Sequence, residues 1–370
     1  MDFLLMGLIY TLFFVVLSYV IFAGRSAYHR TGWVGLLRRN LFSVVHLMQS
    51  AFERCIPAAV TRVINNTTTY ILFTRNPCIQ LLYGFIITGG TAVYTFKVIP
   101  YFDKINLFSI ITYILIAINV TLFWICSTSE PGIITSLHHA EYMNDYEPDG
   151  VYYTALECYT CKIIKPARSK HCSLCDVCVS RFDHHCSWVN NCIGKRNYKF
   201  FCCFITSSAI LCVYVTFVVM VVFAYIVIAD GLISMEYVDQ DGKHYPVGIR
   251  FLTQYLLVRH PLMSILFLTV LFFGVALSGF SLFHLYLVLT NQTTNEFYKR
   301  WFGKSQAKPR QPRITETTAA AKASKRRTTS NKNASSRTLA KVTVEKTQSS
   351  WTSTPYNKGI WRNIAEIIRG

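Results

Sequence analysis

The sequence predicts an all-α polytopic membrane protein, with about five transmembrane helices and a cytosolic Cys/His-rich module between the third and the fourth. Three observations lead there. Of 370 residues, 52% are hydrophobic and 15% aromatic, too apolar for a soluble chain of this length. Five uncharged runs reach the ~20 residues that cross a bilayer as a helix: Phe3–Ala23, Cys78–Phe96, Leu107–Cys126, Phe200–Ala229 and Pro261–Thr290. Finally, seven of the 13 cysteines and three of the 10 histidines crowd into the stretch from Cys158 to Cys192.

The first run, inside segment 1–24, is preceded only by Met1 and Asp2, so it lacks the positive leader of a secretory signal and reads as a retained helix. Segment 25–77 carries seven arginines against one acid, Glu53, which places it in the cytosol and the amino terminus in the lumen. Its apolar residues (Trp33, Leu36, Leu37, Leu41, Val44, Val45) among spaced arginines fit a helix in the membrane interface or a short helical hairpin. Segment 78–126 holds the second and third spans. Glu130-Pro131-Gly132 then stops the helix and turns the chain. From His138 to Glu157 the sequence is polar and acidic, and 127–157 reads as a linker of low chemical content.

Alternation of sides puts the module, 158–201, in the cytosol. Segment 202–290 contributes the fourth and fifth spans with a lumenal loop, and Thr293-Thr294-Asn295-Glu296, in 291–304, reads as a helix end with capping residues. Segment 305–355 is rich in Ser, Thr, Lys and Arg and cannot bury enough surface to fold. In 356–370, Ile360, Trp361, Ile364, Ile367 and Ile368 recur at helical spacing, with Asn363 among them. From Asn291 onward the chain carries 17 Lys and Arg against four acids, which agrees with a cytosolic tail. On this topology the sequons at Asn65, Asn66, Asn119 and Asn291 never meet the lumen, and no N-glycan is expected. The net charge of +18 sits mostly in the two cytosolic basic segments, where it serves orientation and anionic lipid rather than nucleic acid.

In the module, pairs of cysteines two residues apart let one tight turn offer two thiolates to a metal, as tetrahedral zinc requires. A reducing cytosol keeps these thiols from pairing as disulfides. The stretch offers ten candidate ligands, and two closed four-coordinate sites consume eight. Neighbouring residues project differently, so His171 and Cys172 belong to different sites. One zinc is assigned Cys158, Cys161, His171 and Cys178, and the other Cys172, Cys175, His185 and Cys192. His184 and Cys186 remain. Beside Asp183, they have the makings of an activated nucleophile: Asp183 holds the imidazole, His184 takes the thiol proton and Cys186 attacks. Spacing alone does not decide which of His184 and His185 is the ligand. The alternative is a purely structural zinc module, an adaptor or ubiquitin ligase-like anchor, in which Cys186 is a spectator; cross-brace ligand spacings are missing for it. A transporter would want ionisable residues in the spans, and His284, read here as a packed residue, stands alone there.

The pattern Cys158-x2-Cys161, Lys165-Pro166-x-Arg168, His171-Cys172-x2-Cys175-x2-Cys178, Asp183-His184-His185-Cys186, Cys192, Asn197 and Phe201 resembles the DHHC family of protein S-acyltransferases. The resemblance implies two structural zinc ions with the ligand sets above, acylation of Cys186 by a long-chain acyl-CoA such as palmitoyl-CoA, and passage of the acyl group to cysteines of substrate proteins near the membrane. It also implies that Thr293-Thr294-Asn295-Glu296 contacts the catalytic region, and that the carboxy-terminal motif docks on the bundle through Trp361 and Asn363. Endoplasmic reticulum is favoured over Golgi or plasma membrane by the family likeness alone. Ser187, where many members have proline, and Glu130, where aspartate is usual, are departures. Burying the roughly fifteen methylenes of a C16 chain is worth on the order of 12 kcal/mol, so the acyl chain belongs among the spans. The CoA phosphates then fall near Lys162, Lys165, Arg168, Lys195 or Arg196 in the cytosol.

Overall fold

The computed structural model describes residues 12, 13, 16–21, 23, 24, 28, 29, 32–102, 106–149, 153, 155–238, 242–302 and 355–370. More than half of the first predicted span and nearly all of the basic tail therefore lie outside the described residues.

Helices dominate. Segment 25–77 forms α1 (Trp33–Cys55) and α2 (Ala58–Phe73), separated by Pro57, which ends one helix and caps the next. Among the described residues, four helices are long and apolar enough to cross a membrane: Cys78–Tyr101, Leu107–Thr128, Tyr198–Ala229 and Pro261–Leu289. The first of these is α3 (Cys78–Val93), prolonged by a π turn over Tyr94–Val98 and a 3-10 turn over Ile99–Tyr101, so it runs past the predicted end at Phe96. The others are α4 (Leu107–Thr128), α6 (Tyr198–Ala229) and α8 (Pro261–Leu289), with the short α5 (His139–Asp145) between α4 and the module. α6 is the axis of the bundle, packing along both α8 and α4. Val215, Val218, Val219 and Val222 of α6 are buried against Tyr94, Met263 and Leu266. Its outward residues, such as Val213, Phe217 and Met220, stay exposed, as a lipid-facing surface requires.

The loop opposite the module holds the hairpin β5 (Glu236–Val238) and β6 (His244–Pro246), followed by α7 (Ile249–Arg259). At the other end of the bundle the module builds two small antiparallel hairpins. In the first, β1 (Lys170–Cys172) pairs with β2 (Val177–Val179), with His171 opposite Cys178. In the second, β3 (His184–Cys186) pairs with β4 (Asn191–Ile193), with His185 opposite Cys192.

Polar side chains fasten the module to the helix ends. Asn191 donates to the carbonyls of Cys126 (3.2 Å) and Ser129 (2.8 Å), satisfying the open end of α4. Gln80 of α3 donates to the Val189 carbonyl at 3.0 Å. Asn197 accepts from Gly194 N and donates to the Cys192 carbonyl, both at 2.9 Å, which locks β4 to the start of α6. The Pro131 turn lies against the edge of β2: a Cβ on Gly194 would stand 2.5 Å from the Pro131 carbonyl oxygen, so only glycine fits. Glu130 closes that turn by accepting from the Gly132 and Ile133 amides.

Segment 127–157 is no bare linker. Tyr142, Tyr146 and Tyr153 are buried, and the latter two pack with Ala167 and Tyr356. After α8 the chain forms α9 (Thr294–Phe302), and the carboxy-terminal α10 (Ile360–Arg369) returns to pack on α8 and α6. Asn363, wholly buried, donates to the Leu289 carbonyl at 2.7 Å and accepts from Lys358 N. Trp361 contributes nothing to this docking: it is 82% exposed, and Ile367 and Tyr356 take the buried places. The helix turns its Asn363–Ile367 face inward, and Trp361 falls on the opposite one.

Candidate active site and metal centres

Strand alternation sorts the Cys/His residues. On β3, His184 and Cys186 share one face and His185 lies on the other, because side chains two apart point the same way. On β1, His171 and Cys172 separate likewise. Each hairpin thus presents a His–Cys pair directly across its two strands, and a Cys-x2-Cys turn completes each set.

The donor atoms of Cys158, Cys161, His171 and Cys178 lie within 4.8 Å of one another, and so do those of Cys172, Cys175, His185 and Cys192. Within the first set, His171 Nδ1 stands 3.4 Å from Cys161 Sγ and 3.9 Å from Cys178 Sγ. Within the second, His185 Nδ1 stands 3.7, 3.4 and 3.6 Å from the sulfurs of Cys172, Cys175 and Cys192. A tetrahedral zinc with bonds of ~2.0–2.3 Å puts its ligands about 3.5–3.8 Å apart, so three thiolates and one imidazole in each set fit the ion. Both Cys-x2-Cys turns close on a left-handed residue, Lys162 (φ 56°) and Asp176 (φ 56°), whose amides donate to the Cys158 and Cys172 carbonyls. Asp176 Oδ1 also sits 3.4 Å from His171 Nε2, a partner that fixes the ring for Nδ1 ligation.

On the other face of β3, Asp183 Oδ2 accepts from His184 Nδ1 at 2.7 Å, which leaves Nε2 for the hydrogen bond with Cys186. Burial opposes the imidazolium, yet the Asp183 hydrogen bond and then Cys186 carry the His184 pKa up to about 10. Burial also opposes a Cys186 thiolate, but His184 and the amides of Val189 and Trp188 hold the thiol below its ordinary value. Asp183 is buried too, and His184, together with the Thr294 amide, keeps it ionised. Cys186 is 8% exposed and packs with Cys126, Phe201, Phe204 and Ile205 at the ends of α4 and α6. The sulfur therefore sits between the module and the membrane helices.

Asp183 draws on a second group of residues. Its Oδ1 accepts from Thr294 N at 2.7 Å, at the start of α9, where the helix dipole favours a negative charge. That helix opens with a capping box: Glu296 N donates to Thr293 Oγ1 (3.2 Å) and Thr293 N to Glu296 Oε2 (2.9 Å). The Glu296 carboxylate is gripped by Arg168, Nε to Oε1 at 2.7 Å and Nη2 to Oε2 at 2.8 Å. Arg168 has no exposed surface; it also donates to Asn291 and lies between the Tyr146 and Tyr356 rings at 4.8 and 4.5 Å. Arg168 is thereby withdrawn from the cations that were to meet CoA phosphates. Lys195 and Arg196 are paired with Asp145 and Glu130, each at 2.7 Å. Arg168 and Glu296 were legible in the sequence as motif members and Asn291 was not; their meeting was hidden because it joins residues more than 120 positions apart.

Comparison with known proteins agrees with this geometry. A family profile, DHHC palmitoyltransferase, matches residues 152–300. The chain is 33% identical over 306 residues to Palmitoyltransferase ZDHHC4 of Bos taurus, covering 81% of this chain and 85% of that protein. It is 31% identical over 303 residues to the ZDHHC4 of Mus musculus. To Palmitoyltransferase ZDHHC14 of Danio rerio it is 42% identical over 154 residues, 40% of this chain and 29% of the other. With a likeness of that extent surrounding the paired Cys/His sets and the Asp183-His184-His185-Cys186 strand, the chain belongs to the DHHC palmitoyltransferase family.

Proposed function

We propose that this integral membrane protein is a protein-cysteine S-palmitoyltransferase that works in two steps through an acyl-Cys186 thioester. The observation that carries the assignment of roles is the pairing of His184 with Cys186 on one face of β3, with Asp183, the residue before that strand, bonded to His184 Nδ1 and the sulfur among apolar residues at the helix ends. His184 Nε2 takes the Cys186 proton, and the thiolate adds to the carbonyl carbon of palmitoyl-CoA. The bond from that carbon to the CoA sulfur breaks, and the departing thiolate recovers the proton from His184. Cys186 now carries the acyl group. In the second step the same nitrogen takes the proton of a substrate cysteine, whose sulfur adds to the carbonyl, and Cys186 leaves as thiolate and is reprotonated. One thioester replaces another, so the site has mainly to position the groups and exclude water.

Cys158, Cys161, His171 and Cys178 are the proposed ligands of one zinc ion, and Cys172, Cys175, His185 and Cys192 those of the other. When bound, the ions supply folding free energy to a module with little apolar core. Palmitoyl-CoA is the proposed donor, and the acceptors are proteins with cysteines close to the cytosolic membrane face, where Cys186 is within reach. The basic segments place the module and the tail in the cytosol and the amino terminus in the lumen, with Phe3–Ala23 as a further span. Endoplasmic reticulum is the proposed location, on family likeness, and no nucleic-acid partner is expected. Replacing His184 with Ala tests the roles: label from palmitoyl-CoA disappears from the protein while both metals stay bound. Loss of one metal with retained labelling would exchange the roles of His184 and His185.

A further inference from the structure

His284 on α8 plays no part in the steps above, and its position demands an account. It is 1% exposed, within a helix that holds no Asp, Glu, Lys or Arg. Nδ1 lies 3.0 Å from the Tyr198 hydroxyl at the start of α6. Nε2 is buried with no hydrogen-bond partner among the described residues. A leucine or phenylalanine would fill the same space with no orphaned Nε2 but would cost the buried Tyr198 hydroxyl this partner, so packing alone does not explain an imidazole here.

Its neighbours do. The ring meets Phe280 at 4.6 Å and Phe201 at 5.1 Å, both edge-on, and the centroid of His184 is 6.3 Å away. Phe201 in turn sets its edge against His184 at 5.0 Å. Tyr198 and Phe201 share the first turn of α6, so a bond between Tyr198 and His284 ties that turn to α8 and fixes the wall on which His184 rests. Asp183 governs one edge of the His184 ring through Nδ1; this wall governs its tilt.

We infer that His284 is a positioning residue for acyl transfer, holding His184 in line with Cys186 through its bond to Tyr198 and its contact with Phe201. The inference rests on the acyl-transfer reading above. It is tested with the purified full-length protein in lipid nanodiscs, by following the rate at which Cys186 takes label from palmitoyl-CoA at several donor concentrations. His284→Leu lowers kcat about tenfold or more and leaves KM within about twofold, because a misdirected base slows the chemistry without touching donor binding. Metal content is unchanged. His284→Gln, which keeps a polar atom toward Tyr198, recovers most of the rate. Tyr198→Phe, which removes one oxygen, slows the enzyme as His284→Leu does, and the double variant is no slower than either. A wild-type rate in His284→Leu overturns the inference, and so does a His284→Gln as slow as the leucine variant, which would make the ring mere packing. Should His284→Leu fail to fold, Tyr198→Phe decides: a wild-type rate there overturns the inference equally. A wild-type protein that takes no label on Cys186 sinks acyl transfer itself, a separate result.

Discussion

The two Cys/His sets use the same parts, a Cys-x2-Cys turn and a cross-strand His–Cys pair, yet they stand differently toward the reacting sulfur. The set of Cys172, Cys175, His185 and Cys192 includes the middle residue of β3, flanked on that strand by His184 and Cys186. The set of Cys158, Cys161, His171 and Cys178 reaches the site only through the first hairpin, whose Cys172 and Cys175 belong to the other set. The first hairpin is shared between them; β3 is not. A site built on one face of a strand is as rigid as whatever grips the opposite face, and here that grip is the second set.

This difference predicts a graded response, largest at the second set. Cys192→Ala removes a ligand directly across from His185, and the expected outcome is loss of one zinc by elemental analysis and loss of all labelling from palmitoyl-CoA. Cys158→Ala also loses one zinc and lowers stability, but a measurable fraction of labelling survives at low temperature because β3 keeps its own ligands. Equal residual labelling in the two variants would erase the distinction.

Next comes the support of Asp183 from behind. Arg168 and Glu296 form a fully desolvated pair, and Glu296→Gln leaves the guanidinium short of its charge partner, at a cost of about 3–5 kcal/mol. Burial works against the Glu296 carboxylate, but Arg168 outweighs it and holds the pKa below its ordinary value. A group depressed on folding stabilises the protein above its unfolded pKa, near ~4.3. That contribution is lost as pH falls through the lower folded value. Thermal melts of wild type and Glu296→Gln should therefore differ fully at about pH 6 and converge only below about pH 4. A difference that persists unchanged into acid would show that the carboxylate charge is not what holds Arg168.

The smallest effect sharpens the comparison from the other direction. Lys162 and Asp176 occupy matching left-handed positions after the two Cys-x2-Cys turns. Glycine relieves that conformation, and Lys162→Gly should raise stability by up to about 1 kcal/mol. Asp176→Gly should gain less in a melting experiment, because it also removes the carboxylate beside His171 Nε2.

Much of this was legible along the chain where the determinants are local. Hydrophobic run length located four described spans to within a few residues at most ends, the larger departure being Cys78–Tyr101, where a π turn and Pro100 carry the helix past Lys97. The Cys-x2-Cys spacing pointed to the two sets that the fold brings together, since the geometry of a knuckle is fixed by a handful of residues. What stayed hidden depends on chain ends meeting. Nothing beside Arg168 announces that its side chain joins Asn291 and Glu296, or that Tyr356 covers it. Arg168, Asn291 and Arg181, whose Nη2 donates to Asn291 Oδ1 at 3.2 Å, hold positive φ values without being glycine, a strain that only the surrounding contacts stabilise. The segment 127–157 looked like a linker because His138–Glu157 is polar and acidic, and the partners that bury Tyr146 and Tyr153, Ala167 and Tyr356, lie elsewhere in the chain. Trp361 was expected inward from the family likeness, but Asn363 fixes the face.

The account rests on Cys186 being the atom that carries the acyl group, and the most direct test incubates purified wild type and Cys186→Ser with labelled palmitoyl-CoA. The wild type should acquire one label released by neutral hydroxylamine, and Cys186→Ser, with both metals retained, should acquire none. A hydroxylamine-labile label on Cys186→Ser at the wild-type level would contradict it.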